Sequence, residues 1–180
     1  MFSTILKEST SVSHQKLEKI VVSKLKDIRS ESDYAALLIH FYAYFSALEK
    51  AIAPFIDDTI LAGFDQRRKA ERLSTDISAL GEATTLLPTV QMPQINTLAQ
   101  ALGAMYVMEG SVMGGPIIIG LLQKAGIQKG FSFFGGYGDK THAMWATFIQ
   151  LLNEKFTTPD QQKLAIQTAN ETFENFALTF

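Results

Sequence analysis

The stretch AMYVMEGSVMGGPIIIG, residues 104–120, decides the fold class of this chain, because it is apolar like a buried helix yet repeatedly interrupted. Gly110, Gly114 and Gly115 fall within six positions, and Pro116 follows directly. Inside a helix glycine costs about 1 kcal/mol relative to alanine, and proline about 3 kcal/mol. The segment therefore predicts a core helix whose glycines serve a purpose that outweighs their cost.

The glycines of this stretch line up on one side of the predicted helix. On a wheel of 3.6 residues per turn, one face within about 40° of its centre carries Gly103, Gly110, Gly114, Ile117 and Leu121. Bare backbone of this kind favours either a closely packed second helix or a broad flat ligand. Taken alone, close helix packing is the commoner reason. Pro116 also predicts a kink near 112–116.

The remainder of the 180-residue chain carries helical patterns and no convincing strand. We therefore predict an all-α protein with one core, organised as a single domain over 1–180. Ser3 or Thr4, Ser32 and Thr158 are candidate N-caps. The predicted helices cover 3–27, 31–56, 65–81, 94–125, 141–155 and 159–179, with a glycine- and aromatic-rich loop at 130–139.

Composition excludes several classes of function. A net charge of −2 gives no general attraction to nucleic acid. The absence of cysteine excludes disulfides, thiolate metal sites and a cysteine nucleophile. Lys7 and Glu8 interrupt any signal-peptide core, and Glu109 and Ser111 argue against a membrane span at 102–122. We expect a soluble, cytoplasmic protein that binds no membrane.

His14 is the most suggestive candidate for a metal ligand. It shares a helix face with apolar residues at 17, 21 and 25, with Glu18 one turn later and Lys7 two turns earlier. A carboxylate near one ring nitrogen raises the basicity of the other, which suits a metal-ligating histidine. From the residues alone, a half-buried histidine flanked by solvated charges remains the commoner interpretation. The same holds for His40 and His142.

Three separated segments together resemble the haem oxygenases, and are most similar to the bacterial type found with bacteriophytochromes. They are STSVSHQKLE at 9–18, YVMEGSVMGGPII at 106–118 and FFGGYGDKTHAMWATF at 133–148. The resemblance spans nearly the whole chain. It implies a haem-oxygenase-like helical bundle with a kinked, glycine-rich distal helix.

The resemblance also implies roles on the first helix. His14 would be the axial ligand of the haem iron, and Glu18 would hold its other ring nitrogen. Lys7 would lie near a haem propionate. Animal-type members place basic residues for the propionates on a late helix, where this chain has Trp145 and Ile149. The orientation of the haem is left open by that departure.

On the distal side, Gly110 and Gly114 would line the face above the haem, and Gly115 would ease the kink within the same haem-binding segment. Ser111 stands where many animal-type members have aspartate. A hydroxyl can relay a proton or hold a water, but it supplies no charge. The implied catalytic set is therefore Gly110, Ser111 and Gly114.

The implied reaction is the cleavage of haem, dependent on O₂ and a reductant, to biliverdin, carbon monoxide and ferrous iron. Haem is then both substrate and cofactor, with electrons from an external donor of ferredoxin or flavodoxin type and a bacteriophytochrome as a further partner. Three alternatives stay open. They are a haem-binding or haem-trafficking protein without turnover, a haem-oxygenase-like module with another substrate or none, and a structural helical domain.

Overall fold

The computed structural model describes residues 1–180 and is entirely helical, which confirms the predicted all-α class. Short 3₁₀ helices occupy Phe64–Gln66, Ser111–Gly114 and Gly138–Lys140. The α-helices are α1 (Phe2–Asp27), α2 (Glu31–Ile52), α3 (Glu71–Ala79), α4 (Leu98–Gly110), α5 (Gly115–Lys124), α6 (Thr141–Lys155) and α7 (Pro159–Ala177).

Local signals fix several helix ends. The Thr158 hydroxyl accepts from the Gln161 backbone N–H and the Gln161 side chain accepts from the Thr158 N–H, which completes a capping box before α7. At α2 the cap is Ser30, which accepts from the Asp33 N–H, and the prediction of Ser32 is wrong. The prediction of Ser3 or Thr4 at α1 is also wrong, because helix geometry starts at Phe2.

The third predicted helix, 65–81, is only half correct. Regular α-helix begins at Glu71, and Arg67 adopts an extended conformation after the preceding 3₁₀ turn. Arg67 and Arg68 are 3 % and 5 % exposed, although a polar surface helix would leave both in water. Their guanidinium groups bind interior partners, and this tertiary demand overrides the local helical preference.

The glycine-rich stretch is one helical run with a change of helix type in its middle. The α-helical hydrogen bonding of α4 gives way to 3₁₀ geometry over Ser111–Gly114 and resumes in α5. This is the irregularity predicted at 112–116, placed slightly earlier, with Pro116 in the first turn of α5 where its missing N–H is not needed. The run Leu98–Lys124 is long and apolar enough to cross a membrane by length and composition, a test that core helices also pass.

A single cluster of buried apolar side chains draws on all seven α-helices. Its centre is aromatic, with the Phe41 ring edge-on to Phe176 at 4.9 Å between centroids. The α4 helix packs directly on α7, and a Cβ added at Gly103 would lie 2.9 Å from the Ala165 Cα. Gly103 is therefore a helix-packing glycine, which lets α4 lie close against α7.

Candidate functional site

Helices α1, α4 and α6 meet at a small aromatic cluster. The Tyr106 ring of α4 lies 5.7 Å from the Trp145 ring of α6. Burial raises the pKa of Tyr106, and hydrogen bonding with the Thr10 side chain of α1 partly opposes that rise. The benzene edge of Trp145 lies 3.6 Å from where a Gly110 Cβ would stand.

His14 follows Thr10 by one helical turn, on the neighbouring part of the same α1 face. Its side chain is exposed, and the edge of its ring rests against Phe173 of α7 at 5.4 Å between centroids. Neither ring nitrogen of His14 hydrogen-bonds to a protein group, and Glu18 and Lys7 are exposed and unpaired. The predicted contact between Glu18 and His14 is absent, and the imidazole nitrogens have no protein partner.

Gly114 is a glycine of the stretch that faces open space. A Cβ added there would meet nothing within 4 Å. Two large apolar side chains beside it are exposed, with Ile117 at 68 % and Met113 at 38 %. Bare backbone flanked by uncovered apolar surface is suited to a flat, largely apolar ligand.

Gly110 and Gly115 have different surroundings. Gly110 lies under the Trp145 ring, as described above. A Cβ at Gly115 would overlap the carbonyl oxygen of Phe134 and lie 3.0 Å from its carbonyl carbon. Gly115 is buried against the loop, and its missing side chain admits the Phe134 backbone. Its assignment to the haem-binding set stays a prediction.

Ser111 is tied to its own helix and to a buried arginine. Its hydroxyl donates to the Met108 carbonyl oxygen at 2.7 Å and accepts from the Arg68 guanidinium. A hydroxyl has one proton and two acceptor sites. In this arrangement Ser111 offers a remaining acceptor site to a water, and no proton of its own.

A buried ion pair lies at the end of α4, next to Gly110–Gly115, which we call the glycine segment. Glu109, 3 % exposed, pairs with Arg67, whose guanidinium also donates to the Met144 carbonyl oxygen of α6 at 3.1 Å. The Tyr137 hydroxyl donates to the same carboxylate at 2.8 Å and accepts from the Arg68 backbone N–H at 3.0 Å. Three chain segments are thus joined at the C-terminal end of α4.

Sequence analysis missed Arg67, Arg68 and Tyr137, although one signal pointed to them. Glu109 is a carboxylate in an otherwise apolar core helix. An ionised group buried in that way requires a charged partner. Glu109 therefore predicted a buried cation, but the sequence did not say which of its 16 Lys and Arg residues would supply it.

We expect Tyr137→Phe to lower the free energy of unfolding by about 2 kcal/mol at neutral pH, because a hydrogen bond to a buried carboxylate is lost. Burial, with the charge of Glu109, raises the pKa of Tyr137 to about 12 from 10.0. The stabilisation specific to the protonated phenol is complete below pH 10 and is lost as the pH rises through about 12. Denaturant unfolding of the wild type and Tyr137→Phe at pH 7 and pH 11 measures the difference in their free energies of unfolding. That difference should shrink at pH 11, and a larger difference at pH 11 would contradict the hydrogen bond assigned to the Tyr137 hydroxyl.

The side chains available as metal ligands suit an iron ion that is already bound in a macrocycle. No group of three or more His, Asp or Glu side chains could hold a metal ion. A single free imidazole at His14 would be sufficient where a macrocycle supplies the remaining nitrogen ligands, as haem does. The open backbone at Gly114 and the apolar side chain of Ile117 suit the macrocycle itself. The residues present therefore fit haem.

Comparison with known proteins agrees with this fit. The family profile described as Heme oxygenase matches residues 1–180. A heme oxygenase of Xanthomonas campestris pv. campestris is 25 % identical over 145 residues, covering 79 % of this chain and 86 % of the relative. Heme oxygenase PigA of Pseudomonas aeruginosa is 24 % identical over 173 residues, covering 93 % and 85 %.

Solved structures agree on the fold. The NO- and CO-bound heme oxygenase from Neisseria meningitidis superposes with a TM-score of 0.83 at 21 % identity. The match covers 99 % of this chain and 89 % of that one, which confirms the haem-oxygenase-like bundle. With a profile match from the first residue to the last, this chain belongs to the haem oxygenase family.

Proposed function

We propose that the protein cleaves haem in an O₂- and reductant-dependent reaction to biliverdin, carbon monoxide and ferrous iron. The proposal is supported by an exposed imidazole at His14 whose nitrogens have no protein partner, together with open backbone at Gly114. Membership of the haem oxygenase family supports the same proposed reaction. Haem supplies the redox-active iron and is itself the skeleton that is cleaved.

His14 and Phe173 form the proximal half of the proposed site. The His14 imidazole would hold the haem iron through a ring nitrogen, and the contact with Phe173 limits rotation of its ring. Lys7, exposed two turns earlier on α1, binds a propionate. Trp145 and Ile149 of α6 are half-buried apolar side chains, so they contact the macrocycle and not its carboxylates.

Gly110, Ser111 and Gly114 form the distal half of the proposed site. Backbone without side chains lets the macrocycle approach closely at Gly114, and the Trp145 ring closes the side next to Gly110. Close approach leaves room for a small diatomic ligand but not for a shell of water. Ser111 holds a water through its remaining acceptor site, and that water delivers protons.

Electrons come from outside the chain, because the sequence has no flavin or nicotinamide motif. A ferredoxin or flavodoxin is the proposed donor. The cytoplasm is the proposed compartment, and a bacteriophytochrome that takes biliverdin as chromophore is the proposed recipient.

Haem titration followed by turnover tests the function. Ferric haem is added to the purified protein, and the complex is reduced with ascorbate or a ferredoxin–reductase system in air. We expect a Soret band at one haem per chain, then its loss with biliverdin recovered by chromatography. Stoichiometric haem binding without biliverdin would refute the enzyme and leave a haem-binding protein.

That second candidate, haem binding without turnover, has one observation in its favour. The Ser111 proton is donated to Met108, so the distal segment offers an acceptor where proton delivery needs a donor. Carbon monoxide release in the same assay separates the two functions, since a haem carrier produces none.

We expect Gly114→Leu to weaken haem binding at least about tenfold, because an isobutyl group would fill the open space above the backbone. The melting temperature of the haem-free protein should be kept, since nothing lies within 4 Å to collide with the new side chain. Haem titration and thermal unfolding of the same preparations measure both effects. Unchanged haem affinity would place the ligand elsewhere.

A further inference from the structure

Arg68 is the most heavily engaged side chain near the glycine segment. Its guanidinium donates to the Met108 carbonyl oxygen at 2.8 Å and to the Phe133 carbonyl oxygen at 3.2 Å, and also to the Ser111 hydroxyl. The same guanidinium stacks on the Phe133 ring, 3.8 Å from its centroid. Its partners therefore lie on both the glycine segment and the 130–139 loop.

The Met108 carbonyl shows why an arginine is needed at this place. The change to 3₁₀ geometry at Ser111–Gly114 alters the regular i→i−4 bonding at the C-terminal end of α4. Carbonyl groups there depend on other donors, and Arg68 and the Ser111 hydroxyl supply two for Met108. Removing this clamp would loosen the segment that carries Gly114.

The charge of Arg68 has no carboxylate hydrogen-bonded to it. Its direct partners are two carbonyl oxygens, one hydroxyl and one aromatic face. Burial lowers the pKa of Arg68 to about 10, opposed chiefly by Glu109, and the group stays charged at neutral pH. Glu109 is itself paired with Arg67. The charge of Arg68 is therefore balanced only across space, by Glu109 and Glu49, while its hydrogen bond reaches Ser111 directly.

We propose that Arg68 is a positioning residue of the haem site, which clamps Ser111 and Met108 and places a fixed positive charge one hydrogen bond behind the distal face. The inference rests on the proposed function, because the charge acts on a ligand of the haem iron. It supplies to this distal segment the charge that a serine lacks. An anionic iron ligand is stabilised by that charge, and a neutral one is not.

Two substitutions separate the clamp from the charge. Arg68→Gln keeps an N–H₂ donor and removes the charge, whereas Arg68→Lys keeps the charge and loses the planar fork. Azide and imidazole serve as anionic and neutral probes of the ferric haem complex, so that the ratio of their affinities reports charge. Tyr34→Phe is the control, because it loses a hydrogen bond to the Gly130 carbonyl at the other end of the same loop.

We expect Arg68→Gln to weaken azide relative to imidazole about tenfold, and Arg68→Lys to stay within about threefold of wild type. Tyr34→Phe should leave the ratio unchanged. In the haem-free protein, both Arg68 variants should speed amide hydrogen exchange at residues 108–115, and Tyr34→Phe should not. A wild-type ratio in Arg68→Gln would overturn the role of the charge.

If Arg68→Gln does not fold, the proposal is tested with Arg68→Lys. Unchanged exchange at 108–115 in that variant overturns the clamp, and exchange accelerated with the azide ratio retained supports it. A wild-type protein that binds no haem overturns the proposed function and this inference together. A wild-type protein that binds haem, with the azide ratio insensitive to position 68, overturns the inference alone.

Discussion

Gly115→Ala is expected to lower the free energy of unfolding of the haem-free protein by about 4 kcal/mol, a large effect for one methyl group. The added Cβ would overlap the Phe134 carbonyl oxygen and press on its carbonyl carbon at 3.0 Å. Both groups are backbone, so no side chain can rotate away. Relief requires α5 to move from the loop, which separates Phe134 from its ring contact with Phe41.

Gly114→Ala is the matched control, one position earlier in the same run. Its Cβ meets nothing within 4 Å, and alanine is favoured over glycine in helical backbone by up to about 1 kcal/mol. Thermal unfolding of the two variants beside the wild type makes the comparison. For a chain of this size, about 4 kcal/mol corresponds to a fall in melting temperature of about 10 °C for Gly115→Ala, against no fall for Gly114→Ala. Equal melting temperatures would contradict the packing assigned to Gly115.

This contrast explains what the glycine pattern could and could not predict. The wheel placed Gly103, Gly110 and Gly114 on one face and offered two uses for it, close packing or a ligand. The structure shows close packing at one of these glycines and open space at another. Gly103 meets Ala165 of α7, and Gly114 meets open space. Periodicity gives the direction of a missing side chain, but the neighbour in that direction is set by helices far away in the chain.

The buried charges show a second limit of the same kind. Local pattern made 65–81 a polar surface helix, whereas Arg67 and Arg68 are drawn inward by Glu109 and by the carbonyl groups at the end of α4. The pairing joins positions 42 residues apart. A lone carboxylate in an apolar helix predicts that some cation is buried, and only the fold selects which one.

The elements predicted best are those that local chemistry alone determines. Thr158, Pro159 and Gln161 contain the whole start signal of α7, and the helix begins there. The helix 141–155 agrees with α6 residue for residue. His14 was singled out by its place on α1, but its exposure and its contact with Phe173 depend on how α7 packs against α1.

His14→Ala is expected to weaken haem binding on the order of 100-fold and to change the spectrum of any complex that remains. The substitution removes an exposed imidazole whose nitrogens have no protein partner and whose ring contacts Phe173. The haem-free protein should keep its melting temperature to within a few degrees, because an exposed ring resting on one phenylalanine contributes little to the core. Haem titration by absorbance measures the affinity.

Two further experiments test specifically whether His14 is the iron ligand. His142→Ala removes another exposed histidine, at the start of α6, and should leave haem affinity and spectrum unchanged. Free imidazole added to His14→Ala should restore the wild-type Soret position, because the cavity left by the side chain admits the same donor. Rescue by imidazole would attribute the loss to the missing ligand and not to damaged packing. An unaltered spectrum and affinity in His14→Ala would remove the iron ligand from α1, and with it the proximal half of the proposed site.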